Sequence, residues 1–163
     1  MNENHEWQNG EFVVSTNREK LDIETIHHFL TTETYWAGER SLETVRRSFE
    51  NSLPFVIYRG DEIVGFARVL SDYATFAWLA DVFIRREYRG LGLSKWLMEI
   101  IIAHPDLQGL RRFLLATRDA HALYRQFGFD DLRIPYLWME RTAPNAYASF
   151  GINTEQSENQ PGS

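Results

Sequence analysis

A chain of 163 residues with 44% hydrophobic and 14% aromatic content has the length and apolar supply of a single enzyme-sized domain. A formal net charge of −6 argues against a nucleic-acid coat, and the absence of cysteine excludes a disulfide framework, a cysteine nucleophile and thiolate-bound metals in one step. No long uncharged apolar run marks a membrane span, and the acidic first six residues lack the positive charge of a signal peptide, so a reducing cytoplasm is expected.

Residues 1–10 read as a polar lead-in, and residues 11–15 as a short strand. Asp22 then caps an apolar-periodic segment, Ile23, Ile26, His27 and Leu30, that predicts a helix. His27 and His28 are adjacent, point different ways and form no metal pair; metal-ligand spacing is absent elsewhere too, so no metal is expected. A loop at residues 31–39 carries two large aromatics, Tyr35 and Trp36, which either plug the core or line a substrate site. Ser41 opens a second helix whose buried stripe is Leu42, Val45 and Phe49.

From Phe55 the chain reads as sheet. Residues 55–58, a turn at 59–61 and residues 63–70 predict a hairpin, with Gly65 a bulge or a point of close approach. Ser71, Asp72 and Tyr73 make the next turn. Residues 75–84 are almost continuously apolar, as expected of a central strand covered on both faces, and only Asp81 interrupts them. After a glycine-bearing loop, Leu93, Leu97, Ile100 and Ile101 share a helical face that ends at His104-Pro105. Residues 110–116 follow as a strand reached through that helix, and therefore parallel to the central one. Asp119 starts a last helix with Ala120, Leu123, Tyr124 and Phe127 on one face, and Gly128 is its left-handed terminator. Residues 135–141 supply a final strand. The expected organisation is a lead-in (1–10), one domain (11–141) and a disordered or loosely docked tail (142–163).

The loop at Arg89-Gly-Leu-Gly-Leu-Ser-Lys95 carries the chemistry. Gly90 and Gly92 remove the Cβ atoms that would hold a bulky anion off the backbone, and the N–H groups from Gly90 to Lys95 lack carbonyl partners at the helix start. With Arg89 and Lys95 beside it, this end suits a phosphate or pyrophosphate. Neither the Walker spacing nor the dinucleotide fingerprint is present. The loop resembles the phosphate loop of the GNAT superfamily of N-acetyltransferases at Arg89, Gly92 and Ser94, with Ser replacing the usual Gly or Ala. A second block resembles that family after the parallel strand: Ala120, Tyr124, Gly128 and Phe129 match in register, with Thr117 where the family commonly has Asn.

The resemblance spans residues 55–140 and implies an α/β fold, a twisted mixed sheet with helices on both faces. It implies acetyl-CoA as donor, pairing of its pantetheine with Val82, Phe83 and Ile84, pyrophosphate on Arg89, Gly90, Leu91, Gly92, Leu93, Ser94 and Lys95, and further contact at Thr117. Tyr124 is the implied general acid; a phenol near pKa 10 stays protonated at neutral pH and can donate to a thiolate. Read from spacing alone, Tyr124 is equally a core aromatic. Relatives that acetylate polyamines carry Glu-Asp before the pantetheine-pairing residues, where this chain has Ala80-Asp81. Asp81, alternating to the face opposite Ala80 and Val82, is either the base or a buried structural carboxylate held by a loop N–H or an arginine. Glu33, Glu39, Asp72 and His121 are further proton-accepting candidates.

The acceptor pocket is expected to combine Tyr35, Trp36, Asp72, Tyr73 and Trp78 with acidic rims, which suits a small amine with an apolar part better than an anion. The sequence thus predicts a cytoplasmic N-acetyltransferase, monomer or homodimer, that binds neither nucleic acid nor membrane. A protein N-acetyltransferase, an idle acyl-CoA-binding or sensory module and a structural partner-binding domain are the alternatives.

Overall fold

The computed structural model describes residues 3–148. Among them, six strands form one sheet in chain order: β1 Glu6–Asn9, β2 Phe12–Ser15, β3 Leu53–Arg59, β4 Glu62–Ser71, β5 Phe76–Ile84 and β6 Arg112–Leu114. The helices are α1 Ile23–Glu33, α2 Leu42–Glu50, α3 Leu93–Ala103 and α4 His121–Arg125. Neighbouring strands run antiparallel except β5 and β6, which are parallel and joined through α3, because a parallel partner needs a crossover. Asp22 and Ser41 cap α1 and α2, each side chain accepting the N–H three residues on at 3.1 Å.

Burial on both faces of the sheet explains the apolar strands. Ile26, Phe29 and Leu30 of α1 and Val45 and Phe49 of α2 pack on Val56, Ile63, Phe66 and Phe83. On the other face, Leu93, Leu97, Met98, Ile100 and Ile101 of α3 and Tyr124 of α4 pack on Phe55, Ile57, Ala67, Val69, Ala77 and Leu79. Removing this apolar surface from water supplies most of the driving force for folding.

Two expectations are corrected. Within the expected lead-in, residues 6–9 form a strand, since β1 pairs with β2 from Glu6↔Ser15 to Asn9↔Phe12. One apolar residue anchors that polar strand: the Trp7 ring lies 6.5 Å from Phe55 and 5.9 Å from the fully buried His104. The last helix begins at His121 rather than at Asp119, with Ala120 as its cap residue, and Thr117 Oγ1 accepts the Ala120 N–H at 3.1 Å. Gly128 does take a left-handed φ of 87° at its end.

Backbone contacts divide the chain between Phe129 and Asp130, and the first part holds every strand and α-helix described above. In residues 130–148 the strand expected at 135–141 is not formed. Pro135 opens a 3₁₀ turn, Pro135–Leu137, where its fixed φ and missing N–H suit a tight turn better than a ladder. Turn bonds join Ala146 to Ala143 and Ala148 to Asn145, and most of the tail expected at 142–163 lies outside the described residues.

Gly65 is both a close approach and part of a bulge. The β3–β4 register slips between Ile57↔Gly65 and Tyr58↔Ile63, and a Cβ on Gly65 would sit 2.7 Å from Ile84 Cδ1 and 2.8 Å from the Phe83 carbonyl oxygen. Gly65→Ala is expected to lower stability by about 1–3 kcal/mol, read from the urea unfolding midpoint, because backbone cannot yield as a flexible side chain would.

Candidate active site

The site is built around an extra residue in β5. Phe66 pairs with Phe83 and Arg68 with Ala80, so Ala67 of β4 faces both Asp81 and Val82. Asp81 takes a φ of 53°, a left-handed conformation that Asp tolerates better than β-branched residues. The insertion re-phases the strand. Ala77 and Leu79 face the α3 cluster, whereas Phe83 faces the cluster of α1 and α2. The expected alternation is therefore corrected: Asp81 bonds to Arg68, which stands opposite Ala80, so these share a face while Val82 packs on the other.

Asp81 is the carboxylate on which β4 and the loop between α1 and α2 converge, with its side chain 1% exposed. Oδ1 accepts from Trp36 Nε1 at 3.1 Å and Arg40 Nη1 at 2.9 Å; Oδ2 accepts from Arg40 Nη1 at 2.8 Å and Arg68 Nε at 2.6 Å. Arg68 Nη1 continues to Ser52 Oγ at 3.1 Å. Burial alone would raise this carboxyl, but the charges of Arg68 and Arg40 and their hydrogen bonds outweigh it and hold it below the ordinary carboxylate value. Such a group is a weak base. Of the two readings left open by the sequence, the geometry matches the buried carboxylate held by arginine.

Because Trp36 is pinned to Asp81, its neighbour Tyr35 is placed as well. The Tyr35 and Trp36 rings meet edge-on with centroids 4.9 Å apart, and the Arg118 guanidinium lies 3.7 Å above the Tyr35 ring. His27 Nε2 lies 2.9 Å from the Arg40 carbonyl, tying the far end of the same loop to α1. Tyr124, 8% exposed, packs edge-on against Phe129, and its hydroxyl makes no hydrogen bond among the described residues. Burial pushes its phenol up to about 12, and nearby Tyr35 and Asp119 act in the same sense. Tyr35, Trp36, Asp81 and Tyr124 are thus brought into one neighbourhood by a loop, a strand bulge and a helix. His121 is exposed one turn before Tyr124, and Glu33 and Glu39 are exposed beside the loop.

The glycine loop follows the C-terminal end of β5, a short way past Asp81. Gly90 and Gly92 take φ of 82° and 78°, and a Cβ at either would meet nothing within 4 Å. Gly92 is the cap residue of α3 and offers no side-chain hydrogen bond, so the N–H groups of Leu93, Ser94 and Lys95 open the helix without a side-chain acceptor. Leu91 is exposed between the two glycines, and Arg89 Nε donates to the Ile84 carbonyl at 3.0 Å, fastening the loop to the end of the strand. Along this half of β5 the sheet opens. β6 pairs with β5 only at Phe76, Ala77 and Trp78, so among the described residues the edge from Leu79 to Ile84, including Val82 and Phe83, has no strand beside it.

Some predicted substrate residues sit elsewhere. Asp72 is consumed by its own turn: Oδ1 accepts N–H groups from Ala74, Thr75 and Phe76 at 2.7–3.1 Å and Oδ2 the Thr75 hydroxyl, bonds that depress its carboxyl strongly. Tyr73, at φ 58°, belongs to the same turn, while Trp78 is partly exposed in register with Leu70 and Leu114. A surface cavity of about 250 Å³ lies apart from the sheet opening, lined by Asp22, Tyr58, Glu62 and Arg85 among others. Arg40, Arg68 and Arg118 were not singled out from the sequence. Arg68 had a legible signal, a lone charge inside an apolar strand that needs a counterion such as Asp81.

Asp81→Asn leaves two arginines without their counter-charge and is expected to cost about 3–5 kcal/mol in urea unfolding at neutral pH. A carboxyl lowered in the fold contributes stability above its unfolded value of 3.8 that is lost as pH falls through the folded value. Wild-type stability should therefore drop on acidification in that range, and the Asp81→Asn protein should show a shallower drop.

The sequence profile of the acetyltransferase (GNAT) family matches residues 23–129. A Gibberella zeae protein named as an acetyltransferase is 29% identical over 150 residues, spanning 78% of this chain and 84% of its own. The crystal structure of a protein from Xanthomonas campestris pv. campestris, described as belonging to the same family, superposes with a TM-score of 0.81 at 49% identity, covering 86% of this chain and 99% of that one. A Clostridium acetobutylicum structure described with acetyl-CoA shares the fold at 13% identity and a TM-score of 0.61, covering 80% of this chain and 94% of that one. With the family profile matched over more than half the chain, and the glycine-led helix start and strand opening lying within that span, this protein belongs to the acetyltransferase (GNAT) family.

Proposed function

We propose that the chain moves the acetyl group of acetyl-CoA to the primary amine of a small molecule by direct attack, in a cytoplasmic setting. The observation that carries this reading is the opening of the sheet beyond Trp78, with the uncapped start of α3 just past its far end. The residues fit the co-substrate. Both loop glycines leave open space where a Cβ would stand, and the N–H groups from Gly90 to Lys95 can take a pyrophosphate. Main-chain groups of Val82, Phe83 and Ile84 can pair with the pantetheine amides, and Thr117, whose hydroxyl accepts the Ala120 N–H just before α4, stands where the family commonly has Asn. Bound there, acetyl-CoA supplies a thioester carbonyl with a good leaving group.

Attack by the amine forms the N–C bond and breaks the C–S bond, and one proton must pass from nitrogen to sulfur. With its phenol near 12, Tyr124 carries its proton throughout the neutral range. Complete transfer to a thiolate of pKa near 8.5 is uphill by roughly 3.5 units, so Tyr124 acts as general acid chiefly through a hydrogen bond to the departing sulfur. Asp81 serves by holding the Tyr35–Trp36 loop, since its four hydrogen bonds and lowered pKa leave it little basicity. The amine's own proton leaves to solvent, and solvent returns one to the departing sulfur, which closes the balance. Tyr35 and Trp36 offer aromatic surface to the acceptor, and Asp72 contributes only the turn that carries Tyr73. An acyl-enzyme is not part of this reading, because the sequence has no cysteine.

Acetyl-CoA at a hundredfold excess over its dissociation constant should stabilise wild type by about 2.7 kcal/mol, a clear rise in unfolding midpoint. In Gly92→Trp the indole would fill the open space and the rise should vanish; an unchanged rise would remove the phosphate-loop assignment. Tyr124→Phe should keep the midpoint rise and lose about 10²–10⁴-fold in kcat with an amine acceptor. A full-rate Tyr124→Phe enzyme would mean that the tyrosine is a packing residue.

A further inference from the structure

We propose that the acceptor carries an anionic group, a carboxylate or phosphate, in addition to its amine, and that Arg40 reads it. This rests on the acceptor site proposed above and narrows its substrate class. The argument is one of charge and of unused donors. Asp81 supplies one negative charge against two guanidinium groups, and no other carboxylate pairs with Arg40 or Arg68 among the described residues. The trio therefore carries one net positive charge beside the Tyr35–Trp36 loop, a departure from the acidic rims expected from the sequence. Arg68 is deep, with its side chain 12% exposed, and spends Nε and Nη1 on Asp81 and Ser52. Arg40 is shallower, at 28%, and reaches both oxygens of Asp81 end-on through Nη1 alone.

Nε and Nη2 of Arg40 make no hydrogen bond among the described residues. These are the atoms of the guanidinium edge whose fork matches a carboxylate or phosphate two bonds at a time. A partly exposed, under-compensated arginine with that edge unspent, on the loop that also presents Tyr35 and Trp36, selects for an anion and against a polycation. The loop is fixed from both ends, by Trp36 Nε1 on Asp81 and by His27 at the Arg40 carbonyl, so the edge is held in place before any ligand arrives. Arg118 cannot serve the same purpose as readily, since its guanidinium is stacked on Tyr35 and lies 3.5 Å from the Asp119 carboxylate.

The test uses matched acceptors that differ only by a carboxylate, phenylalanine against phenethylamine and β-alanine against ethylamine, with diaminopropane as the polycation. Acetyl transfer and the unfolding midpoint of the CoA complex are both measured on wild type, Arg40→Lys and Arg40→Gln. Lys keeps the charge without the fork; Gln keeps a donor toward Asp81 without the charge. Wild type should favour the carboxylate-bearing member of a pair by roughly tenfold in kcat/KM, as one charge-assisted fork provides. That ratio should fall through KM in Arg40→Lys and further in Arg40→Gln. Preference for the plain amine or the diamine, or a ratio unmoved in both variants, overturns the inference while leaving the amine-acetyltransferase reading intact. If no acceptor turns over, the midpoint decides: a rise with the carboxylate members that Arg40→Gln abolishes supports anion recognition while the small-amine reading fails, and no rise with any acceptor overturns it.

Discussion

The carboxylate of Asp81 is the constraint on which the acceptor side depends. It is buried, it sits on a residue inserted into an otherwise regular strand, and it is ionised only because two arginines and an indole N–H converge on it. Each partner comes from a different place: Arg68 from the neighbouring strand, Trp36 and Arg40 from the loop between α1 and α2. An isolated buried charge is costly, so the loop is not free to leave the sheet without exposing or stranding that charge. Through Trp36 the same bond sets Tyr35, and through Tyr35 it reaches the Arg118 guanidinium and the electrostatic surroundings of Tyr124.

The C-terminal half of one strand therefore does two kinds of work. At Asp81 the backbone takes a left-handed turn of conformation and the strand changes phase. Three residues further on, the Ile84 carbonyl is held by Arg89, and the chain passes into two left-handed glycines that deliver uncapped N–H groups. The stretch between is short and its free edge is bounded at each end by a fixed structure. Such a site is set by main-chain geometry that the surrounding core enforces, since Gly65 presses against Phe83 and Ile84 from the opposite side.

Much of this was legible in the residues. The glycine loop, the helix after it, the Asp22 and Ser41 caps and the β3–β4 hairpin all rest on local chemistry within a few positions, and the local chemistry wins there. The parallel strand followed from the helix that precedes it. What escaped was long-range. β1 is a polar stretch whose place in the sheet depends on Trp7 meeting Phe55 and His104, some fifty and a hundred residues away. Arg40 reads as a loop charge until Asp81, 41 positions on, is seen to face it. Asp72 illustrates the opposite error. A carboxylate near an aromatic loop looks available, but its own turn claims both oxygens, one through N–H groups and the other through the Thr75 hydroxyl, all within four residues. The strand expected at 135–141 failed because an apolar run was weighted above the proline that opens it.

The unpaired edge of β5 has a meaning for how this protein can vary. A sheet that stops three residues into its last pairing is a sheet with a place kept for one more ribbon of amides, and whatever fills that place is met by peptide groups, which every amino acid possesses. Side chains at Val82, Phe83 and Ile84 answer to the two hydrophobic clusters on either face rather than to the gap between the strands. Sequence can drift at these positions, within the limits of packing, without altering what the edge offers. The length of β6 is a different matter: a few more residues of ladder would close the opening without changing one side chain that lines it.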